Sequence, residues 1–535
     1  MTKIIFLFAV FLCNLNFAQI TKLSSLSDSK ILDSKIVFEE NDKDIYGYVI
    51  LFEKDKTNAY ETTFEIALLD KNLNKVGKTS FTQETQKAPW NIKLEWTLCL
   101  AKKSKESLLI SLDQVHVNYA GAYQSVFNDF GTSSFRVLDL KTFTISDNNI
   151  VKNMIIQKQT EKYDVQNTKK FEKQLENLNL IKVTKNNGFL ISDLDYQKTR
   201  DYSYGGYSRP DANKTFHFYD SNFNKKWEYN LDQDDNTYPY FGYSYFDGDG
   251  KDIVFKKTYY GGAKDPIALI NFEIVNSDTG KKKFDISLWD TEKTYEFCSL
   301  KFFNDKIIIY ASIHKFRKRS DDYLSGKQGY VKLTFDRETG KQLGKDLFYL
   351  STLKGKLDFD SDANVKNYGF VYFLDFQITK EGKTILIAEG YSPDMFVKIL
   401  DLFVLVLDEK MNLLEFKKID KFKNKTKLAN LYGKTLVATG SFDYMYSQKL
   451  PGDGFVFYYS DNEKLGARAA RKDPKWILGV ITYIDGVFDF QKVPLTTKDG
   501  QIYPIKAKNG YVLLKEVPNE DSDKDSEFRL EKINY

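Results

Sequence analysis

The sequence predicts an all-β fold, a β-propeller of four-stranded antiparallel blades. The first observation is a recurring hairpin, in which a β-rich run ends in an aspartate-containing turn and a second strand follows. The others are a further strand before each hairpin and only 10 prolines in 535 residues, a pattern of strand-rich domains rather than proline-rich linkers. The hairpins lie about 65 residues apart, and a β-unit repeated at such a period is typical of a closed circular array. The turn aspartates are Asp70, Asp139, Asp220, Asp278, Asp336, Asp408 and Asp461.

The strands before the hairpins are rich in β-branched and aromatic residues, as strands usually are. Less regular β-rich runs precede them, such as 371–379, and this gives four strands per unit. We therefore expect seven blades rather than eight, with the last strand, 528–534, helping to close the ring. The alternative fold is a pair of tandem β-sandwiches. The strands before the hairpins are 44–54, 106–117, 188–196, 251–260, 305–316, 382–391 and 433–444.

One segment departs from the strand pattern. In 168–181, Phe171, Leu175 and Leu178 stand at helical spacing with charged residues between them. The segment falls in the longest interval between turn aspartates. We expect a short helical insertion here, within one propeller domain that spans 19–535.

The N-terminus has the pattern of a secretory signal peptide. Lys3 supplies a positive charge, 4–12 is a short apolar core, and Ala18 is a small residue at the end. The apolar core is too short for a comfortable transmembrane span. We therefore expect cleavage after Ala18, with 1–18 removed and no transmembrane span left in the mature chain.

The Ala18-Gln19 ending and the richness in Lys, Asn, Phe and Tyr resemble exported proteins of the Bacteroidetes. This resemblance implies an exported protein that is periplasmic, associated with the outer membrane or extracellular. The chain has 78 basic and 74 acidic residues, a formal net charge of +4. Such a balance argues against an extended polyanion as the main ligand, and we expect no nucleic-acid partner.

No catalytic signature is present in a context that supports it. His116, His217 and His314 lie apart in strand-like runs, which favours structural roles over a zinc site. Cys99 and Cys298 lie in apolar runs, where buried, unpaired thiols are expected. Paired acids such as Asp193 with Asp195 share one face of a strand, whereas glycosidases place two carboxylates across a cleft. We favour a protein that is not an enzyme.

A run of aspartates and glycines at 245–255 is the sharpest local motif. It resembles the calcium loops of integrin-type propeller repeats, and this resemblance implies Asp247, Asp249 and Asp252 as ligands. Tyr245 stands where the first aspartate of those loops is expected, and the spacing before Asp252 is one residue short. The alternative is a tight hairpin turn, with no cofactor at all.

The longest irregular loops are expected between the second and third strands of each unit, and they are rich in tyrosine. In a propeller, loops of one class emerge on one face, and tyrosine gives a rigid aromatic surface with a polar hydroxyl. The alternative is that these loops only pack on one another. The candidate ligand-binding residues are Tyr123, Tyr202, Tyr204, Tyr207, Arg209, Tyr260, Tyr323 and Tyr446.

Three functions follow from these patterns. The first is a non-catalytic, exported binding or scaffold protein that recognises a protein or glycan through its tyrosine-rich loop face. The second is a carbohydrate-active enzyme with a carboxylate pair in the central cleft. The third is a purely structural envelope protein.

Overall fold

The computed structural model shows an all-β chain whose described residues form 33 strands and one short α-helix, α1 (Gly433–Ala438). Among these residues, no helix combines the length and apolar character needed to cross a membrane. The described residues are 19–39, 44–58, 61–84, 94–104, 106–116, 133–146, 181–184, 188–192, 215–220, 224–230, 240–260, 268–288, 293–315, 327–360, 364–365, 369–392, 397–425, 433–438, 440–450, 452–462, 475–495, 500–518 and 525–533.

Antiparallel meanders follow one another along the whole chain. The first meander contains β2 (Lys30–Phe38), β3 (Ile45–Asn58), β4 (Glu61–Asp70) and β5 (Lys75–Glu84). The second contains β6 (Leu94–Ser104), β7 (Ser107–His116) and β8 (Ser133–Asp139). The third contains β9 (Ile181–Thr184), β10 (Gly188–Ser192), β11 (Thr215–Asp220) and β12 (Lys225–Asn230). The fourth contains β13 (Tyr240–Gly248), β14 (Asp252–Tyr260), β15 (Ala268–Asn276) and β16 (Lys282–Leu288).

The second half of the chain continues the same order. The fifth meander contains β17 (Lys293–Phe303), β18 (Lys306–Lys315), β19 (Lys327–Asp336) and β20 (Gln342–Tyr349). The sixth contains β22 (Gly369–Ile378), β23 (Thr384–Ser392), β24 (Lys398–Leu407) and β25 (Leu413–Ile419), with the short strands β21 (Asn364–Val365) and β26 (Asn424–Lys425) paired to it. The seventh contains β27 (Tyr444–Lys449), β28 (Phe455–Asn462), β29 (Trp476–Ile484) and β30 (Val487–Pro494). The eighth contains β31 (Gly500–Lys506), β32 (Tyr511–Pro518), β33 (Glu527–Lys532) and, as its outermost strand, β1 (Gln19–Lys22).

The described strands thus form eight meanders, one more than the seven hairpins predict. A single parallel pair, Phe38 with Lys102, joins the first two meanders into one seven-stranded sheet. The eighth meander has no turn aspartate, because its fourth strand comes from the other end of the chain. β1 pairs antiparallel with β33, Gln19 opposite Leu530, so the C-terminal strand completes the last sheet together with the N-terminal one.

The hydrophobic core lies between consecutive sheets. Val49 and Leu51 of the first meander pack with Trp96 and Leu98 of the second. Comparable clusters of buried side chains join the third meander to the fourth and each later meander to the next. A further cluster joins the eighth meander to the first, with Phe528 beside Tyr48. The first and last sheets therefore pack together as sequential neighbours do.

The central strands of a sheet are more buried than its fourth strand. In the sixth meander, β23 and β24 are buried along almost their whole length, whereas the fourth strand, β25, is largely exposed. First strands of neighbouring meanders contact each other, as β2 does with β6, β9 with β13 and β22 with β27. We call the edge of each sheet that carries the first strand its inner side, and the edge that carries the fourth strand its outer side.

The predicted aspartate turns are built by side-chain acceptors. Asp70 ends β4, and its Oδ1 accepts hydrogen bonds from the backbone N–H groups of Asn72 and Asn74, both at 2.8 Å. The same arrangement recurs in five other third-strand turns, where one acceptor side chain organises the backbone. These acceptors are Asp139, Asp220, Asn276, Asp336 and Asp408. In the fourth meander Asn276 takes the acceptor position, and Asp278 lies within its turn.

Two sequence expectations are wrong. Asp461 does not form a hairpin turn but lies within β28, opposite Ile477, and the tight turn of this meander is at Asp485 and Gly486. The strand expected at 433–444 is in part the helix α1, because Leu436 is buried in a cluster with Tyr391 and Phe442. The helical insertion at 168–181 lies outside the described residues, apart from Ile181, which begins β9, and so does the signal peptide at 1–18.

Candidate binding site

The first strands share a local irregularity. In six of the eight described meanders the first strand carries one extra residue relative to its partner, a β-bulge. A bulge bends the strand and re-aims its side chains. The residues that follow the bulges are Asp33, Leu100, Asp247, Ser299, Asp375 and Tyr446.

The three aspartates at these bulges make the same local hydrogen bond. The Oδ1 atoms of Asp33, Asp247 and Asp375 each accept from the N–H of the next residue, at 2.7 to 2.8 Å. The sheets therefore repeat a local hydrogen bond at their first strands as well as at their turns. At the first strands, a hydrogen bond from the next backbone N–H holds each of these aspartates in place.

Asp375 is the centre of a polar group on the sixth and seventh meanders. Its Oδ2 accepts hydrogen bonds from the Tyr444 hydroxyl at 2.7 Å and from the Ser447 hydroxyl. The side-chain amide of Gln377 donates to both oxygens at 3.0 Å. Burial, followed by the charge of Asp375, raises the pKa of Tyr444 well above its ordinary value. We call these four residues the Asp375 group.

One lysine from another first strand contacts the Asp375 group. Lys301 of β17 has its Nζ 4.0 Å from Asp375 Oδ1 and a side chain that is 37% exposed. A second first-strand lysine, Lys506 of β31, is partly buried, with Nζ 5.5 Å from the centre of the Phe38 ring. Burial lowers the pKa of Lys506, and the charge of Asp375 opposes that shift. Lys301 therefore links the fifth meander to the sixth, and Lys506 links the eighth to the first.

Tyr446 packs against a neighbouring aromatic ring of its own meander. Its ring lies 4.6 Å from that of Tyr458, and its buried hydroxyl has no hydrogen-bond partner among the described residues. Burial raises the pKa of Tyr446, and the fields of Tyr458 and of Tyr48, from the first meander, add to the shift. Tyr446 lies in β27, the first strand of its meander, and not in a long loop as the sequence suggested.

A buried ionic cluster supports Tyr444 from behind. Lys421 and Glu389 have fully buried side chains, with Nζ 2.7 Å from Oε1, and Lys421 also contacts Asp443. The backbone N–H of Tyr444 donates to Glu389 at 3.2 Å. Burial raises the pKa of Glu389 to about 7 despite the opposing charge of Lys421. We call Glu389, Lys421 and Asp443 the Lys421 cluster.

Two of the three predicted calcium ligands, Asp249 and Asp252, are engaged by basic side chains. Arg337 of the fifth meander donates from Nη2 to Asp249 at 2.7 Å and from Nε to Asp252 at 2.6 Å. The Nζ of Lys283 lies 3.3 Å from Oδ1 of Asp252, whose side chain is fully buried. Burial acts to raise the pKa of Asp249, but hydrogen bonds from Arg337 and the backbone outweigh it and hold the pKa below its ordinary value.

Within the described part of the chain, no three His, Cys, Asp or Glu side chains are grouped as a metal site. Asp247 lies in β13, on the inner edge, and its Oδ1 accepts the Gly248 N–H. Calcium binding by Asp247, Asp249 and Asp252 stays a prediction.

Most of the predicted tyrosine face lies outside the described residues. This holds for Tyr123, Tyr202, Tyr204, Tyr207, Arg209 and Tyr323. The backbone places Tyr260 at the end of β14, where the connection to β15 begins. In the topology, the segments 117–132, 193–214, 261–267 and 316–326 each connect a second strand to a third. Two of them contain at least two tyrosines (117–132 and 193–214), 316–326 contains Tyr323, and 261–267 contains none.

Sequence reasoning missed the Asp375 group and the Lys421 cluster. Each is assembled from residues far apart in the chain, as Glu389 and Lys421 are, and no local motif marks them. The one local feature that could have indicated the Asp375 group is Asp375 itself, an isolated acid within the aromatic and apolar run 370–376. His217 and His314 are buried strand residues, as predicted, and contact Glu228 and Ser312 respectively.

Comparison with known proteins gives no family model and no curated protein that matches. Solved structures that resemble the chain include a polysaccharide lyase, Uly1, at 12% identity and a TM-score of 0.39, covering 81% of this chain and 89% of the lyase. A quinohemoprotein alcohol dehydrogenase from Pseudomonas putida HK5 matches at 8% identity and a TM-score of 0.39, covering 95% of this chain and 76% of the dehydrogenase. A member of the DUF4221 family from Bacteroides vulgatus matches at 12% identity and a TM-score of 0.28, covering 64% of this chain and 90% of that protein. At these scores the matches assign neither a family nor an activity.

Proposed function

We propose that the chain is an eight-bladed β-propeller that acts as an exported, non-catalytic binding protein for a protein or glycan. Packing between meanders supports the ring. In the described part of the chain, hydrophobic clusters join the first meander to the second and each meander from the third to the seventh to the next, and the eighth packs on the first.

The observation that carries the binding function is the contrast between the two ends of the sheets. Turns between third and fourth strands are tight and organised by an acceptor side chain, as at Asp70 and Asp408. Several connections between second and third strands are longer, and the one between Ser192 and Thr215 contains four tyrosines. Antiparallel pairing puts these two classes of connection at opposite ends. Tyrosines of the connections 117–132, 193–214 and 316–326 therefore share one face, a composition suited to recognition.

The double variant Tyr204→Ala/Tyr260→Ala tests this function. We expect capture of glycans on an array, or of proteins from envelope extract, to fall below detection. If the two side chains serve recognition, the melting temperature should stay within about 2 °C, because side chains outside the core contribute little to stability. The matched control is Tyr349→Ala/Phe490→Ala, which removes two aromatics exposed by 37% and 45% on the outermost strands. A large loss of stability in the first variant, or equal capture by all three proteins, would contradict the proposal.

One observation favours the carbohydrate-active enzyme as a second candidate. Asp33 and Asp375 both follow a bulge on a first strand, so two acids lie on the inner side of the sheets. Their oxygens are already hydrogen-bonded, Asp33 to Thr97 at 2.6 Å and Asp375 to Tyr444. Release of reducing ends from a glycan that the chain binds, abolished in Asp33→Asn and Asp375→Asn, would favour the enzyme. Specific binding without turnover would favour the binding protein, and an absence of both would leave a structural protein.

A further inference from the structure

The Lys421 cluster brings an amine and a carboxyl group into contact inside the protein. Lys421 lies just after β25, and its Nζ donates to Oδ2 of Asp443, which lies just before β27. The side chain of Lys421 is fully buried, and that of Asp443 is 11% exposed. Two reactants held in contact and shielded from bulk water react far faster than the same groups free in solution. The contact therefore places the two reactants of an amide bond together, at the passage from the sixth meander to the seventh.

Glu389 is placed to carry protons between these two groups. Its Oε1 lies 2.7 Å from Lys421 Nζ. Its Oε2 accepts the Tyr444 N–H at 3.2 Å, and this bond orients the carboxyl group. Burial raises the pKa of Glu389 to about 7 despite the charge of Lys421. A carboxyl group with a pKa near neutral pH accepts and returns a proton with similar ease, as a general acid and base must.

Asn424 polarises the carboxyl group of Asp443. Its side-chain amide donates to both oxygens, at 2.8 Å and 2.9 Å, and its own carbonyl oxygen accepts from Asn462 at 3.3 Å. Such a donor stabilises the negative charge that develops on a carboxyl oxygen when a nucleophile attacks the carbon. Burial raises the pKa of Asp443, which favours the neutral acid, the form whose hydroxyl group can leave as water.

A neighbouring contact between a lysine and an aspartate provides the contrast. Lys492 Nζ lies 2.9 Å from Oδ2 of Asp461, whose side chain is 1% exposed. The side chain of Lys492 is 50% exposed, so water keeps its ammonium group charged and unreactive. Both pairs are close, and full burial beside a second acid distinguishes Lys421 from Lys492.

We propose that Lys421 and Asp443 join in an intramolecular amide bond, with Glu389 as the catalytic residue. This modification goes beyond the proposed binding function and does not depend on it. The ionic cluster is the state before the reaction. One proton passes from the Lys421 ammonium group to the carboxylate of Asp443, which leaves a neutral amine beside a neutral acid.

The bond then forms without an external reagent. The Nζ lone pair attacks Cγ of Asp443, and the π electrons of the carbonyl move to an oxygen that Asn424 stabilises. Ionised Glu389 takes a second proton from Nζ and gives it to the hydroxyl group on Cγ. When the carbonyl re-forms, that group leaves as water with the electrons of its C–O bond. The third hydrogen stays on the amide nitrogen, and Glu389 returns to its starting state.

The bond ties the sixth meander covalently to the seventh, across the 22 positions that separate Lys421 from Asp443. A cross-link of this kind stabilises a fold by restricting the unfolded chain, as a disulfide does, but it withstands reducing agents. Glu389 is not consumed and stays buried, so burial continues to raise its pKa.

Peptide mapping of the denatured full chain by mass spectrometry tests the bond. Trypsin cleaves after a free lysine but not after one whose Nζ is acylated. We expect the peptide 419–423, uncut at Lys421, to be joined to the peptide 435–449 with a mass one water below their sum. Most of the chain should carry this link. Cleavage after Lys421 with free 435–449 throughout the sample overturns the proposal.

Two variants and one internal control identify the chemistry. Lys421→Arg keeps a cation in the cluster but has no amine to acylate, and the linked peptide should disappear. Glu389→Gln keeps both reactants and should lower the linked fraction at least about tenfold at a fixed time after synthesis. An unchanged linked fraction in Glu389→Gln overturns the role of Glu389. Lys492 should be cleaved normally, and a link from it to Asp461 would show condensation without a built site and contradict the proposal.

Circular dichroism checks that both variants fold. The map of the unmodified chain needs no variant, so it decides the proposal even if a variant does not fold. Neither result bears on the capture of a glycan or protein by the tyrosine face, so the binding function stands or falls separately.

Discussion

The side chain of Lys421 is fully buried. Lys421 lies between Glu389 and Asp443, two acids from the strand β23 and the segment before β27. Burial acts to lower the pKa of Lys421, but the two acids outweigh it and raise the pKa. Burial also raises the pKa values of both acids. One cation thus serves two carboxylates, and the site favours an added proton.

The pH dependence of stability follows from this arrangement. Glu389 has a pKa of about 7 in the folded chain and about 4.5 as a free side chain. Between these values the folded state holds a proton that the unfolded state releases, so stability falls as pH rises from about 4.5 to about 7. Glu389→Gln removes this titration. We expect its free energy of unfolding to fall less between about pH 4.5 and 7 than that of the unmodified chain, with a difference of at most about 3 kcal/mol. Urea unfolding of both proteins at pH 5, 6, 7 and 8 measures this difference.

Removal of the cation serves as the contrasting variant. Lys421→Met leaves two buried acids without their shared partner, and loss of one member of such a group costs about 3–5 kcal/mol. The loss should be greatest above pH 7, where both acids are ionised. Equal pH profiles for the unmodified chain and for Glu389→Gln would show that Glu389 does not titrate in this range.

At the scale of elements, one acceptor side chain organises each tight turn. Five of the six turns use aspartate, and the fourth meander uses Asn276 in the same position. The amide oxygen and the carboxylate oxygen therefore serve equally as acceptors for the backbone N–H groups. The turn depends on the hydrogen bonds more than on charge.

Asp70 allows a direct test of this equivalence. We expect Asp70→Asn to keep stability within about 0.5 kcal/mol, because Asn276 already makes these contacts. Asp70→Ala loses the acceptor and should cost about 1 kcal/mol, the value typical of a lost cap. Urea midpoints of the two variants measure the difference. Equal losses in both would mean that charge, and not the acceptor, matters.

An element could be predicted from the sequence when the contacts that form it are local, and not when they join distant residues. The turn at Asp70 was predictable because its contacts are local, whereas Asp461 resembles a turn aspartate but pairs within a long strand. The helix α1 begins with Gly433-Lys434-Thr435, and the predicted strand 382–391 begins with the same three residue types. Only contacts with distant residues such as Tyr391 distinguish the helix from a strand. Bulges and the Asp375 group depend on partner strands, so no single segment indicates them.

In the whole molecule, the contact between the last and first sheets includes the N-terminal strand β1. Leu23, directly after β1, is fully buried with Phe528 and Tyr48 at the contact between the eighth and first meanders. Ile20, on β1 itself, is 54% exposed. The N-terminal segment therefore contributes both a strand edge and a core residue to the last sheet.

Leu23→Ala should cost about 3 kcal/mol through the lost burial and the cavity left behind. Ile20→Ala, the matched change at an exposed position, should stay within about 0.5 kcal/mol. If this contact closes a ring, the whole unfolding transition should move to lower urea as one step. Circular dichroism and tryptophan fluorescence should then give the same midpoint. Two separate transitions would contradict closure.

The pairing of β1 with β33 also sets the order in which the chain can mature. Gln19–Lys22 is synthesised well before its partner Glu527–Lys532, because about 500 residues of the chain lie between them. Until the later segment is made, Leu23 and Leu26 can pack on the first meander but lack their contacts with Phe528 and Leu530. Contacts between such distant segments are slow to form. The contact between the first and last sheets is therefore expected to be among the latest steps of folding.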